Sequence, residues 1–295
     1  MNGLETIWGG IVIAVGNQKG GVGKTTTAVH VASGLANRGH HTLLWDLDPS
    51  AGATKHLGLT PDAYPGSLEL LLGDLTPEEA PITASNDELW LPERLDIIPS
   101  KRRLETVDSE IAARSRFWNR LDILNQPLQA LRQTYDIIVL DTPPSTVLSP
   151  SLAAYASSDW FLLAAMPDPL SVTGLADAAR DIESVRETAN RDLKLLGVVL
   201  NAVDARTRLC RELTAYIDQS FASPCGDSLR LTPAISRSTV VPTAQKLGRT
   251  VPEAFPRHPV AEQFIALAEA IEDRLIFAQR GLGDELTARP TRGAA

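Results

Sequence analysis

Two lysines and three glycines crowd into one short stretch, Lys19-Gly20-Gly21-Val22-Gly23-Lys24-Thr25-Thr26. Those residue types in that order suit the binding of phosphates. Glycines let the backbone wrap closely round an anion and aim its N–H groups inward. A helix beginning at Lys24 would turn its positive end toward the same anion. Lys24 is placed to hold the β- and γ-phosphates of a nucleotide, and the Thr25 hydroxyl to reach a Mg²⁺ ion. Two acidic patterns could complete such chemistry. Asp46-Leu47-Asp48-Pro49 offers two carboxylates that strand alternation puts on one side, suited to organising Mg²⁺ and an attacking water. Tyr135-Asp136-Ile137-Ile138-Val139-Leu140-Asp141 is an apolar run ending in a carboxylate, so Asp141 would hold Mg²⁺ through a bound water.

These residues need elements to position them. Residues 11–15 form an apolar run that reads as a buried strand, and residues 24–37 read as a helix that Gly39 stops. Strand, glycine-rich loop, Lys-Thr and helix is the context that gives a phosphate-loop pattern its force. The first glycine of the general pattern is displaced, and an extra lysine, Lys19, precedes Lys24 by five residues. Residues 41–46, 95–99, 135–141, 159–165 and 193–201 read as further strands, the runs without alternation indicating burial on both faces of a parallel sheet. Residues 67–72, 102–116, 120–133, 172–188, 208–221, 239–247 and 259–279 read as helices, with a short strand within 229–235. Residues 1–10 read as a lead-in, 11–279 as one domain, and 280–295 as a disordered tail. The expected fold is α/β: a mostly parallel twisted sheet with helices on both faces, placing ligands at the carboxyl ends of its strands.

Lys19 to Thr26, Asp46 to Pro49 and Asp141-Thr142-Pro143-Pro144-Ser145 together resemble the ParA family of partition ATPases. These are P-loop ATPases with a deviant Walker A loop, a group that also holds MinD-type division-site proteins and nitrogenase iron proteins. The resemblance covers roughly residues 11–275 and is most specific at those three motifs. It implies an ATPase using ATP and Mg²⁺, with Lys19, Gly20, Gly21, Val22, Gly23, Lys24, Thr25 and Thr26 cradling the nucleotide. It also implies Thr25, Asp48 and Asp141 at the metal, with Asp48 governing the water and Asn201 contacting adenine. Lys19 could reach its own nucleotide only by crowding Lys24, so a reach across a dimer interface to the partner's nucleotide explains it better. The loop after Asp141 is placed to register hydrolysis as a switch.

Composition bounds the partners. The chain has 295 residues, 43% hydrophobic and 22% charged, as in an ordinary globular protein. No apolar run of about 18 residues marks a membrane span, and residues 1–10 lack a signal-peptide core. Cys210 and Cys225 are expected as reduced thiols, and five histidines show no metal-ligand spacing. A net charge of −8 argues against a uniformly basic nucleic-acid binder. Residues 205–250 nevertheless carry seven basic side chains (Arg206, Arg208, Arg211, Arg230, Arg237, Lys246, Arg249) against three acidic ones (Glu212, Asp218, Asp227). Positions 204–207 and 236–237 resemble those where ParA proteins carry DNA-contacting residues, giving Arg206, Arg208, Arg237, Lys246 and Arg249 as a candidate face for nonspecific DNA.

The leading expectation is an ATP-dependent dimer, cytoplasmic and nucleoid-associated, that segregates or positions DNA or another cargo and is stimulated by a ParB-like or other partner. An ATPase positioning a protein assembly is an alternative on the same motifs. A MinD-like membrane switch needs a basic amphipathic end, which the glycines and Pro290 of the C-terminal stretch do not suit. Electron transfer needs cluster-ligating cysteines beside the switch loops, where neither cysteine lies. An ATP-dependent small-molecule synthetase on this fold stays open, although Lys19 favours the nucleotide-sandwich dimer.

Overall fold

The computed structural model describes residues 9–83, 91–115, 119–144, 149–221 and 228–279, and only the backbone for 169–176. Six parallel strands form one sheet: β1 (Ile11–Gly16), β2 (Thr42–Asp46), β3 (Leu95–Ile98), β4 (Ile137–Asp141), β5 (Trp160–Ala165) and β6 (Lys194–Leu200), in the order β3-β2-β4-β1-β5-β6. The chain steps outward from β1 in one direction through β2 and β3, and in the other through β5 and β6. The end of β1 is therefore the place where the winding reverses, and open α/β sheets leave a ligand crevice there.

Each strand is apolar on both sides because helices cover both faces. Ile13, Val15, Leu44, Ile137 and Val139 pack beneath α1 (Lys24–Asn37), α2 (Gly52–His56), α9 (Val240–Lys246), α10 (Val251–Ala254) and α11 (Pro259–Phe277). Val12, Ala14, Trp45, Ile138 and Leu140 point the other way, toward α5 (Asn125–Leu131), α6 (Ser149–Ser157), α7 (Pro169–Thr188) and α8 (Arg208–Ser220). A smaller cluster of Leu68, Leu104 and Val107 joins α3 (Ser67–Leu72) to α4 (Val107–Arg114). The tightest helix pair is α1 on α11, where a Cβ at Gly34 would lie 2.5 Å from that of Ala268. Only glycine permits that approach.

The strands and the long helices fall where the apolar patterns put them; shorter elements differ for local reasons. The helix expected at 102–116 opens with a 3₁₀ turn, Arg102–Thr106, that tucks Leu104 into the small cluster before α4 begins. The helix expected at 120–133 shrinks to α5. Asn119 and Asp122 bond the side chains and backbone of the preceding turn instead, and Pro127 is tolerated only in the first helical turn. The strand expected within 229–235 runs beside β6 but pairs only through isolated bridges, Val198 with Arg230 and Val203 with Ser236. Pro233 in between has no N–H to give a ladder. Helix α7 starts at Pro169, three residues before the expected start, with proline at the first helical position where it fits best. Helices α2, α6 and α10 had no expectation. Cys210 is a buried free thiol, as expected, while Cys225 lies outside the described residues.

A pair of buried histidines locks α1 onto the C-terminal helices. His30 Nδ1–H donates to Thr26 O (2.8 Å), and its Nε2 accepts from the Val251 N–H (3.0 Å). Its ring stacks on Phe264 at 3.7 Å and meets the edge of His56 at 5.4 Å. Burial, reinforced by His56, holds the His30 pKa well below 6.5, and burial takes His56 down to about 4. Both rings are thus neutral in the folded chain and protonated below pH 6.5 in the unfolded one. Their contribution is complete above pH 6.5 and is lost as pH falls toward 4. Asp46, raised to about 6 by burial, works in the opposite sense, so the histidine effect is read as a difference. Between pH 7 and pH 5 His56 alone accounts for about 2 kcal/mol. The parent should therefore lose about that much more stability over this interval than His56→Leu in urea unfolding; equal losses would refute the assignment.

Candidate nucleotide site

The loop between β1 and α1 is held from behind. Asn17 is fully buried, its amide donating to Ala164 O at the end of β5 (2.8 Å) while its Oδ1 accepts from the Lys19 N–H (2.9 Å). The Gln18 amide bonds the Asp181 carboxylate of α7. Val22 is buried, and its carbonyl accepts from the Asn201 amide (3.2 Å), which also donates to Thr27 Oγ1 (3.0 Å). Gly23 has a left-handed φ of 89°, and a Cβ there would sit 2.7 Å from Asn201 Nδ2. Glycine is required on both counts. On the open side, side chains at Gly20 or Gly21 would meet nothing within 4 Å. Helix α1 begins with no side-chain cap and no acidic residue in its first turn, so its leading N–H groups face this space. Residues 19–26, expected as the cradle, border this space. Asn201, the expected adenine contact, lies against its inner wall, and its Oδ1 is buried without a partner.

The charges inside are crowded. Lys24 is 6% exposed and donates to Lys19 O (3.0 Å); burial lowers its pKa, against the pull of Asp141 and then Asp48. Asp141 ends β4 directly beside Asp46, which ends β2. Neither carboxylate oxygen of Asp141 has a hydrogen-bond partner in ordinary geometry. Burial raises its pKa well above the usual value, the Asp46 charge adds to this, and the nearby Thr25 hydroxyl offsets it in part. Unmet carboxylate oxygens in a dry site beside a threonine hydroxyl fit a hydrated Mg²⁺ ion. Among the described residues no cluster of three or more His, Cys, Asp or Glu could hold a metal alone. Mg²⁺ does not ask for one, since it keeps waters and shares phosphate oxygens. Gly52 at the start of α2 closes over Thr25, where a Cβ would lie 3.0 Å from Thr25 Oγ1.

The two aspartates of the 46–49 pattern turn out to differ. Asp46 is fully buried: its Oδ1 accepts from the Asp48 N–H (3.1 Å), and its Oδ2 from Thr54 N–H (2.9 Å) and Thr54 Oγ1 (2.7 Å). With both oxygens occupied it braces the turn, and the expectation of a second carboxylate for the metal or water is corrected. Asp48 is half-buried at the cradle, its Oδ1 accepting from the Ser50 N–H (2.8 Å). Thr142, after Asp141, donates to Val15 O (2.8 Å) and ties the start of the expected switch loop to β1. Ser145 lies outside the described residues.

Lys19 is partly exposed. Its ammonium pairs with Asp168, in the β5–α7 connection, at 2.7 Å, with side chains 29% and 39% exposed. Asp168, Asn17 and Thr54 carried no signal in the sequence, because the bonds that give them a part join distant residues.

The basic candidates divide. Arg206 lies 91% exposed and forks onto Asp204 (2.8 and 2.9 Å). The Val203–Ser236 bridge brings Arg237 to the same place, and Asp204 is held down to about 2, by Arg206 first and with Arg237 contributing. Arg208 pairs with Glu212 one turn on (2.6 Å). Lys246 and Arg249 are exposed at the C-terminal end of α9, which packs on α2.

Comparisons with known proteins bear on the family and the fold. A family model described as an AAA domain matches residues 10–195. The chain is 33% identical over 265 residues to the chromosome-partitioning ATPase Soj of Thermus thermophilus, covering 89% of this chain and 96% of that protein. It is 30% identical over 262 residues to the sporulation initiation inhibitor protein Soj of Bacillus subtilis, covering 89% and 98%. A solved structure of cobyrinic acid a,c-diamide synthase from Mycobacterium smegmatis, with bound ATP analog and magnesium, superposes with a TM-score of 0.73 at 27% identity, covering 94% and 98%. The chain belongs to the ParA/Soj family of partition ATPases, as its motifs indicated.

Lys24→Ala removes the one buried cation of the cradle's inner wall. Loss of a charge-assisted contact to phosphate weakens ATP binding by about 100-fold. Equilibrium titration with a fluorescent ATP analogue checks this, and near-parental affinity would refute the assignment.

Proposed function

We propose that this ParA/Soj-family ATPase binds ATP with Mg²⁺, closes into a dimer round two nucleotides, and in that state binds DNA without sequence preference to segregate or position it. The observation that carries this reading is the partly exposed Lys19. The loop already has its inward lysine in Lys24, and Lys19, 29% exposed, pairs with a carboxylate that it could exchange. A partly exposed ion pair contributes little, so Lys19 can leave Asp168 for a phosphate presented by a second subunit. The names of the relatives support partition as the biological setting, and a cytoplasmic, nucleoid-associated site with a ParB-like stimulating partner follows from the same reading.

In this reading Lys24, the α1 N-terminus and the amides of residues 20–23 bind the phosphates, and Asn201 lies on the adenine side. Thr25 and Asp141 would hold Mg²⁺, which would supply charge neutralisation to the phosphates when bound. Asp48 orients the attacking water. Hydrolysis then alters what the Thr142 to Pro144 segment and Lys19 can contact, which would release the dimer.

DNA binding is assigned to the face containing Arg206 and Arg237. Each arginine now faces Asp204, and a surface pair of this kind yields readily to phosphate. An overall negative chain needs its patch doubled to hold DNA, so dimerisation and binding are coupled.

Two outcomes test this. Asp48→Ala should bind ATP normally and remain an ATP-bound dimer in light scattering, whereas Lys19→Ala should bind ATP as a monomer. A dimer in Lys19→Ala as persistent as the parent's would refute the trans role. In gel shifts on unrelated duplexes, binding should require ATP and weaken steeply with salt. Arg206→Glu with Arg237→Glu should abolish it while dimerisation survives. Shifts indifferent to nucleotide, or unchanged in the double variant, would remove this face as the DNA site, and binding to anionic vesicles without DNA binding would point to a membrane.

A further inference from the structure

Asp48 has no rigid element of its own. It follows the last residue of β2 by two positions and precedes the five-residue α2. Within its own turn its Oδ1 accepts from the Ser50 N–H and its carbonyl from the Ala51 N–H (both 2.8 Å), and a chain of hydrogen bonds ties that turn to the sheet. The Asp48 N–H donates to Asp46 Oδ1 (3.1 Å). Asp46 Oδ2 accepts from the backbone N–H and the hydroxyl of Thr54 (2.9 and 2.7 Å). The Thr54 hydroxyl in turn accepts from the Ser100 N–H just after β3 (2.8 Å). Asp46, Thr54 and Ser100 are all 0% exposed, so water cannot replace the bonds among them, while the bond from the Asp48 N–H is partly buried. A second tie, Ser67 Oγ donating to Asp46 O (2.5 Å), anchors the strand end to α3.

We propose that Thr54 is a positioning residue for ATP hydrolysis, acting through Asp46 to hold Asp48 at the orientation its water requires. The inference rests on the reading of Asp48 given above. Geometry demands a hydroxyl at position 54. It is at once donor to Asp46 and acceptor from Ser100, so it fixes the Asp46 rotamer, and only one Asp46 rotamer lets Oδ1 meet the Asp48 N–H. Valine has the shape but neither bond. It would leave the Ser100 N–H buried without an acceptor and Asp46 tied to Thr54's position by the backbone alone. The cradle's phosphate contacts share no residue with this chain, so turnover and ATP binding should separate.

The test uses the full chain with Mg²⁺. Thr54→Val should keep its ATP dissociation constant within about threefold of the parent while kcat falls about 10- to 100-fold, the scale of a misplacement near 1 Å. It should also accumulate as an ATP-bound dimer. Thr54→Ser, which restores the hydroxyl, should recover most of the rate. In an Asp48→Ala background, Thr54→Val should cost nothing further in residual turnover, because the group it positions is gone. A Thr54→Val protein that turns over at the parental rate would overturn the inference. So would ATP binding and turnover that weaken together, or a further loss in the Asp48→Ala background. If circular dichroism shows Thr54→Val unfolded, Thr54→Ala, which also lacks the hydroxyl, carries the same comparison with the same outcomes. Parental hydrolysis by Asp48→Ala would overturn the reading of Asp48 and this inference together; an inert Asp48→Ala beside an active Thr54→Val would overturn this inference alone.

Discussion

The structure depends on a charge arrangement that water would not choose. Asp46 and Asp141 end neighbouring strands in register, Asp48 follows two residues later, and Lys24 enters from the adjoining loop, with Asp46, Asp141 and Lys24 almost wholly out of solvent. Burial pushes the two carboxyls up and the ammonium down, so each is driven toward its neutral form. Such a cluster costs stability in the protein alone. It becomes favourable where a divalent cation and a polyphosphate supply the missing counter-charges, and that difference is what makes the site bind them. Asp141, with no hydrogen bond to either oxygen, is where the demand is greatest.

The rest of the fold keeps that cluster from relaxing. A parallel sheet buried on both faces prevents β1, β2 and β4 from separating at their carboxyl ends. Asn17 ties the loop's entrance to β5, Asn201 ties its exit to the end of β6, and His30 ties α1 to α10 and α11. The three ties come from different parts of the chain and converge on one loop and its helix. The loop is thus preorganised, with its amides oriented before any anion arrives, which avoids ordering it on binding.

What was legible in the sequence was whatever is local. Buried strands declared themselves as unbroken apolar runs, and the lysine-glycine loop, Asp48 and Asp141 sat at strand ends where a reader looks for them. What was not legible depended on long-range partners. Asn17 meets Ala164 across 147 residues and Lys19 meets Asp168 across 149, and no local pattern encodes either. Asp46 shows the limit best. Strand alternation places it beside Asp48, which suggested a second catalytic carboxylate. The hydroxyl of Thr54 occupies it instead, and threonine on a helix of five residues gives no sign of that use. The short helices α2, α6 and α10 form because their surroundings bury them, since segments of that length have little helical stability in isolation.

The two lysines of the loop differ in burial and in partner. Lys24 opens α1, its Nζ donates to Lys19 O, and it is 6% exposed. Its position is set by the fold. Lys19 lies five residues earlier, where the chain has just left Asn17 and solvent is within reach. Its ion pair with Asp168 joins side chains 29% and 39% exposed, so its net worth is small. The backbone beneath it is nonetheless fixed, because Asn17 holds the Lys19 N–H. A change of partner at the Lys19 ammonium would leave that backbone bond in place, which is what a lysine needs if it is to answer to a neighbouring subunit while Lys24 remains with its own.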